Sequence, residues 1–335
     1  MFIWRDVDLT VEGDTVATIG PAETADHADA VEIDGRGFAV LPGFVDIHAH
    51  PSSEPMLKGL TDEVGSRQLY MSSLYEYLPL FNADPEGRRA ATEVALCELM
   101  QSGVTTVCDL SAAREDWLDT LGASGMRVYA APMFRSGRWY TPNGREVRYT
   151  WDEQAGREGL DRALRVIDRA RQHPSGRLDG VLYPAQVDTC TEALLRDSAA
   201  AARERRLPLQ IHAAQSVVEF HEIMRRHGRT PIEWLREIGV LGAATIVGHA
   251  IFLDHHSWLH WPTRTTSPIS LRPALPWRIA RRCFRAAASC SRISAAIVPP
   301  GSIWGSVPTH SRTTSSRSCA PPRYWREWPP ARRMQ

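Results

Sequence analysis

Two histidines stand two positions apart in Ile47-His48-Ala49-His50, and single histidines recur in Ile211-His212-Ala213 and Gly248-His249-Ala250. Each lies at or just past the end of a short apolar run. Residues i and i+2 of a strand point the same way, so His48 and His50 can aim two imidazole nitrogens at one point. Neutral imidazole is a ligand for Zn2+ and Fe2+. An ion held there would lower the pKa of a bound water from near 16 toward roughly 7 and make hydroxide available at neutral pH. The remaining histidines (His27, His173, His221, His227, His255, His256, His260 and His310) share no such pattern and read as ordinary core or surface residues.

The elements that must carry these histidines are legible as a strand–helix alternation. Apolar, β-branched runs predict strands over 38–46, 104–110, 126–133, 178–185, 207–213 and 244–250. Helical spacing predicts helices over 85–101, 114–121, 156–172, 191–206, 217–226 and 231–238. In the helix over 85–101, for example, Ala91, Val94, Ala95 and Leu99 share one face. Six such units argue for a parallel α/β fold, and a (β/α)8 TIM-like barrel needs two more. Barrel enzymes place their chemistry at the C-terminal ends of the strands, where these histidines fall. Residues 1–37 differ: short strands over 7–11, 15–19 and 30–33 predict a small N-terminal β-module.

Composition narrows the function. The chain has 335 residues, and no apolar run approaches the roughly 18 a membrane helix needs. Six cysteines in this length are no disulfide scaffold, and their spacing fits no zinc ribbon. The N-terminus meets charge at once and has no signal-peptide core, so a cytoplasmic protein is expected. No Gly-x-Gly-x-x-Gly follows the first strand, which argues against a dinucleotide fold.

The segment Leu41–His50 (LPGFVDIHAH) resembles the first-strand signature of the amidohydrolase superfamily, and Gly103–Asp109 (GVTTVCD) its second strand. Ile211–Phe220, Thr230–Gly242 and Ala244–Asp254 are similar to its fifth and sixth units. The branch it looks like holds s-triazine hydrolases and the cytosine, guanine and S-adenosylhomocysteine deaminases. The resemblance covers residues 1–261. It implies one divalent metal on His48, His50 and His212, with His249 touching the substrate or the activated water. It further implies a metal-ligand Asp after strand eight that takes the proton from that water. Two-metal members bridge their ions with a carboxylated Lys on strand four. The sole Lys here is Lys58, in the loop after strand one, so a mononuclear Zn2+ or Fe2+ site is expected.

Two departures bear on the reaction. Deaminases of that branch carry Glu three residues after the strand-five His, where this chain has Gln215. An amide donates and accepts hydrogen bonds but cannot shuttle a proton at neutral pH. They also often have Pro-His near the end of strand four, where this chain has Pro184-Ala185-Gln186. Both favour hydrolysis of an amide, urea, carbamate or N-heterocycle over nucleobase deamination, which stays as the alternative. Gln186 and the loop residues Trp139, Tyr140 and Arg145 are expected to line the small-molecule site. Neither a membrane nor a nucleic acid is an expected partner, and a homodimer is compatible with the resemblance.

The zero net charge conceals a split. Residues 1–261 hold 26 basic and 38 acidic residues, whereas residues 262–335 hold 13 Arg and one acid, Glu327. Such a tail could be a nucleic-acid-binding arm, but it has Trp, Phe and Ile without period. No Asp follows Asp254, so the strand-eight Asp is absent, and strands seven and eight are not recognisable. A one-base shift of reading frame near Trp261–Pro262 accounts for all of this. Taking the third base of each codon with the first two of the next, Trp304 to Pro329 permits GLGTDTFPHNFIEELRTAAVLARMA, which has acids and helical apolar spacing. Three segments are therefore expected: a β-module over 1–40, a hydrolase barrel over 41–261 and an out-of-frame tail over 262–335. Without its Asp the chain is expected to be inactive and poorly soluble, and at the extreme a remnant that only binds metal.

Overall fold

The computed structural model describes residues 4, 5, 7–21, 30–58, 65–76, 78–80, 83–262 and, by backbone alone, 278–280. At the N-terminus, β1 (Asp8–Glu12) and β2 (Thr15–Gly20) form an antiparallel hairpin whose turn places Gly13 at φ 61°. The expected third strand over 30–33 does not form. Val31 and Ile33 are 90% and 82% exposed there, with no strand partner among the described residues.

The strand–helix alternation follows in chain order. It runs β3 (Phe44–Ala49), α1 (Glu54–Leu57), α2 (Pro85–Gln101), β4 (Val104–Ser111), α3 (Trp117–Ala123) and β5 (Arg127–Phe134). An antiparallel hairpin, β6 (Gly137–Tyr140) with β7 (Arg148–Trp151), stands where the sequence predicted a loop. Then come α4 (Glu153–Arg171), β8 (Leu178–Gly180), β9 (Tyr183–Pro184), α5 (Glu192–Glu204), β10 (Leu209–Ala213), α6 (Val217–His227), α7 (Pro231–Glu237) and β11 (Thr245–His249).

All the pairings among the αβ units are parallel. One sheet runs β3–β4–β5–β8, with β9 also on β5, and another runs β10–β11–β12 (Arg278–Ala280). Parallel bridges Leu182–Leu209 and Gln186–His212 join the two series. The fold is thus α/β with a parallel sheet. Three boundaries correct the sequence reading. The first strand begins at Phe44 rather than at 38: Pro42 has no N–H to give a ladder, and Phe38 and Val40 lie 71% and 72% exposed. The fourth strand breaks into β8 and β9. A seventh strand, β12, pairs with β11 inside a tail where none was recognisable. Strand eight and the rest of the tail lie outside the described residues.

Local signals explain why the helices start where they do. Asp84 caps α2, accepting from Gly87 N at 2.7 Å, and Pro85 holds the first helical position. Asp152 caps α4 and Ser216 caps α6 by accepting from N3. Thr230 and Glu233 form a reciprocal capping box on α7. Each cap contributes about 1 kcal/mol. The apolar faces of α4, α5 and α7 meet β5, β10 and β11 in one core that includes Ile167, Leu195, Ile211, Leu235 and Val247. Trp117, Leu121, Val107 and Val128 form a second core behind β4 and β5. Two rigid strand series therefore present their C-terminal ends on one side.

Candidate metal centre

His48 sits near the end of β3 and His50 one residue beyond it; His212 lies on β10 and His249 ends β11. Curvature of the sheet brings the first and fifth units face to face. The Nε2 atoms of His48 and His212 are 3.1 Å apart, and the candidate ligand atoms of His48, His50 and His212 all lie within 4.8 Å of one another. The ring of His249 stacks on His212 at 4.8 Å and lies 5.3 Å from that of His48. All four histidines predicted from strand ends are thus brought together.

Two of the three rings have their other nitrogen fixed by the backbone. His50 Nδ1 donates to Leu110 O at 2.9 Å, and His212 Nδ1 to Ala185 O at 2.8 Å, with the Tyr183 hydroxyl 3.1 Å from the same nitrogen. A carbonyl only accepts, so each ring keeps its proton on Nδ1 and turns the Nε2 lone pair inward. Burial, and then the neighbouring imidazoles, hold His48 and His212 well below the usual histidine pKa, and burial lowers His50. Three neutral imidazoles with inward nitrogens are the donor set a borderline divalent ion takes. Lys58 is far from such a role, since its ammonium pairs with Glu98 of α2 on the outside.

The backbone is strained where it turns into the site. Ala214, His249 and Ala250 have φ of 55°, 72° and 47°, a region that costs an L residue roughly 1–2 kcal/mol. Hydrogen bonds hold the turn: Ala250 N to Ala213 O at 3.0 Å and Ile251 N to Ala214 O at 2.9 Å. Strain of this kind clusters at functional sites. Gly248 is required for another reason: a Cβ there would lie 2.8 Å from His48 Cε1 and 2.9 Å from His212 Cδ2.

The other expected site residues are distributed unevenly. Gln186 is buried and bridged through the backbone to His212. Gln215 is half-buried in the turn after β10, where its backbone N donates to Glu219 Oε2 at 3.1 Å. Trp139 lies on β6 against Tyr75, with ring centroids 5.5 Å apart, not among the histidine rings. Tyr140 and Arg145 line neighbouring chambers of one groove behind the hairpin, about 450 and 460 Å3 in volume. Three residues were missed: Tyr183, Gln210 and Glu219. Glu219 is fully buried and accepts from Ala214 N at 2.6 Å, so it braces the strained turn. Only Gln210 left a signal, as a polar residue inside an apolar strand.

Acid should loosen this centre. In the unfolded chain a histidine takes up its proton below about pH 6.5. In the folded chain His48, His50 and His212 do so only at lower pH. Between those values the unfolded chain binds more protons, so stability falls as pH falls. Buried Asp188, raised to about 6, acts oppositely: its contribution is present at low pH and fades as pH rises through about 6. A comparison with His48→Gln cancels Asp188. Metal-free thermal melts from pH 7.5 to 5 should show the wild-type midpoint dropping more steeply than the variant's. Equal slopes would mean that His48 is not buried neutral.

The comparisons with known proteins agree with this geometry. A model of the amidohydrolase family matches residues 39–274. A 5-methylthioadenosine/S-adenosylhomocysteine deaminase of Syntrophobacter fumaroxidans is 28% identical over 249 residues, covering 71% of this chain and 51% of the relative. A 5'-deoxyadenosine deaminase of Methanothermobacter thermautotrophicus is 27% identical, covering 74% and 54%. The chain therefore spans about half the length of the curated relatives it matches. Among solved structures, atrazine chlorohydrolase from Arthrobacter aurescens TC1 complexed with zinc superposes at a TM-score of 0.57, with 19% identity, over 73% of this chain and 56% of that one. Guanine deaminase from C. acetobutylicum with bound guanine gives 0.51 at 19% identity, over 72% and 56%. With a family match over most of its length, a parallel α/β fold and histidines converging at the strand ends, the chain belongs to the amidohydrolase family.

Proposed function

We propose that the chain is a metal-dependent hydrolase of carbon–nitrogen bonds other than peptide bonds, acting on an amide, urea, carbamate or N-heterocycle. The observation that carries this reading is the convergence of three neutral, inward-facing imidazoles on His48, His50 and His212. One Zn2+ or Fe2+ bound there supplies Lewis acidity and a water activated at neutral pH. The His50 and His212 rings are held ready by Leu110 O and Ala185 O, so these two ligands need no reorientation on loading. His249, stacked beside His212, is placed to hydrogen-bond the substrate or the attacking water. Gln215 orients the group being displaced by donating and accepting, without carrying a proton. Gln186 and the Trp139 hairpin shape the pocket for a small molecule.

The same proposal extends to the whole protein: a cytoplasmic (β/α)8 enzyme over 41–261 and beyond, a β-module over 1–40, and a tail over 262–335 read out of frame. The charge break at residue 261 and the acid-bearing helical pattern of the shifted reading support the last point. Among the described residues no helix is long and apolar enough to cross a membrane. A second reading, a nucleoside-type aminohydrolase, is favoured by the names of the relatives. The substrate that is turned over should separate the two. Zinc-loaded protein with the reading frame restored is offered an aryl amide, an N-aryl urea and 5'-methylthioadenosine. Chelator-sensitive turnover of the first two supports hydrolysis. Turnover of the nucleoside alone replaces it with the second reading.

A further inference from the structure

The geometry points to Gln210 as the residue that sets which nitrogen of His48 is available to a metal. The inference rests on reading the three histidines as a metal centre. Two of them, His50 and His212, face backbone carbonyls and are locked with the proton on Nδ1. His48 differs. Its Nδ1 lies 2.6 Å from the side-chain amide of Gln210, which stands two residues before His212 on β10 and so points to the same side. Gln210 is completely buried and reaches three groups on β3 and β4: Ile47 O at 3.1 Å, His48 Nδ1, and the Cys108 thiol 3.3 Å from Oε1.

An amide has a donor edge and an acceptor edge, unlike a carbonyl. The nitrogen edge faces His48, held by Ile47 O on one side and by the Cys108 thiol behind. His48 Nδ1 therefore accepts, its proton sits on Nε2, and that Nε2–H points at His212 Nε2, 3.1 Å away. This is a closed pair of rings in which the His48 lone pair is spent on Gln210. A half-turn of the amide presents Oε1 instead, moves the His48 proton to Nδ1 and frees Nε2 as a ligand atom. Gln210 is thus a positioning residue whose resting orientation opposes metal uptake. A group that can only accept would remove that opposition. Partners of this kind change metal affinity roughly 10–100-fold.

The test is made on the full chain with 15N-labelled histidine. Wild-type protein without metal should show His48 with its proton on Nε2, and with zinc on Nδ1. Gln210→Glu should show Nδ1–H before zinc is added and should bind zinc about tenfold more tightly in chelator competition. The wild-type spectra need no variant, so they decide even if Gln210→Glu fails to fold. Zinc uptake with His48 on Nδ1–H throughout, or a Glu variant matching wild type in both readouts, overturns the role of Gln210 alone. Absence of zinc uptake by wild type overturns the metal centre, and this inference with it.

Discussion

Gly248→Ala is expected to leave the fold in place and remove metal uptake. The glycine sits at an ordinary strand position of β11, paired with His212 of β10, so its backbone tolerates alanine. The added methyl would come within 2.9 Å of both the His48 and His212 rings. Neither ring can yield cheaply. His212 is held on its far side by Ala185 O and the Tyr183 hydroxyl, and His48 by Gln210. Relief must therefore spread the two Nε2 atoms or break a buried hydrogen bond, each of which costs about 1–3 kcal/mol. Zinc affinity should fall by at least 100-fold, while circular dichroism stays native. Gly239→Ala is the contrasting variant. Gly239 has φ 75° and open space around its missing Cβ, so alanine strains the backbone without touching the site. It should lower the melting temperature by several degrees and leave zinc affinity unchanged. Equal zinc binding by both variants would mean that the His48–His212 approach is not what holds the ion.

How much of this was legible in the sequence depended on the range of the interactions. The strand-end histidines, the helix starts at Pro85, Val217 and Pro231 and the parallel order came from local patterns, since apolar periods act within a few residues. Helix α2 runs over the predicted 85–101. What failed was whatever a distant partner decides. The apolar stretch over 38–43 looks like strand but stays exposed, because β4 meets the chain only from Phe44. The β6–β7 hairpin carries Arg138, Tyr140, Arg148 and Tyr149 rather than a clean alternation, so it reads as loop. Gln210 shows in the sequence only as a polar residue inside an apolar strand, and Tyr183 leaves no signal at all. Their roles depend on contacts with His48, 162 positions away from Gln210, and with His212.

On the proposed reading of the tail as out of frame, restoring the reading frame near codons 261–262 should yield a soluble enzyme. Among the described residues β3 pairs with β4 alone, while the other flank of the series ends on the three-residue β12. A barrel leaves no edge, whereas an unclosed one presents unpaired N–H and C=O groups and invites aggregation. The chain also has no Asp after Asp254, and so offers no strand-eight carboxylate to accept the proton of the attacking water. A positioned general base contributes roughly 10²–10⁴-fold to rate. The shifted reading permits both a strand-like GTDT segment and a stretch of helical apolar spacing after it. Resequencing across codons 255–270 decides whether a base is missing. Expressed in parallel, the restored protein should be soluble and turn over substrate with zinc, at least 100-fold faster than the unshifted chain. His48, His50 and His212 are common to both, so zinc binding should persist in whatever unshifted protein stays soluble. An unshifted chain that is soluble and equally active would sink the frame proposal. It would also show that the metal centre needs no strand-eight carboxylate, leaving buried acids such as Asp46, Asp109, Asp188 and Glu219 to be tested for that proton.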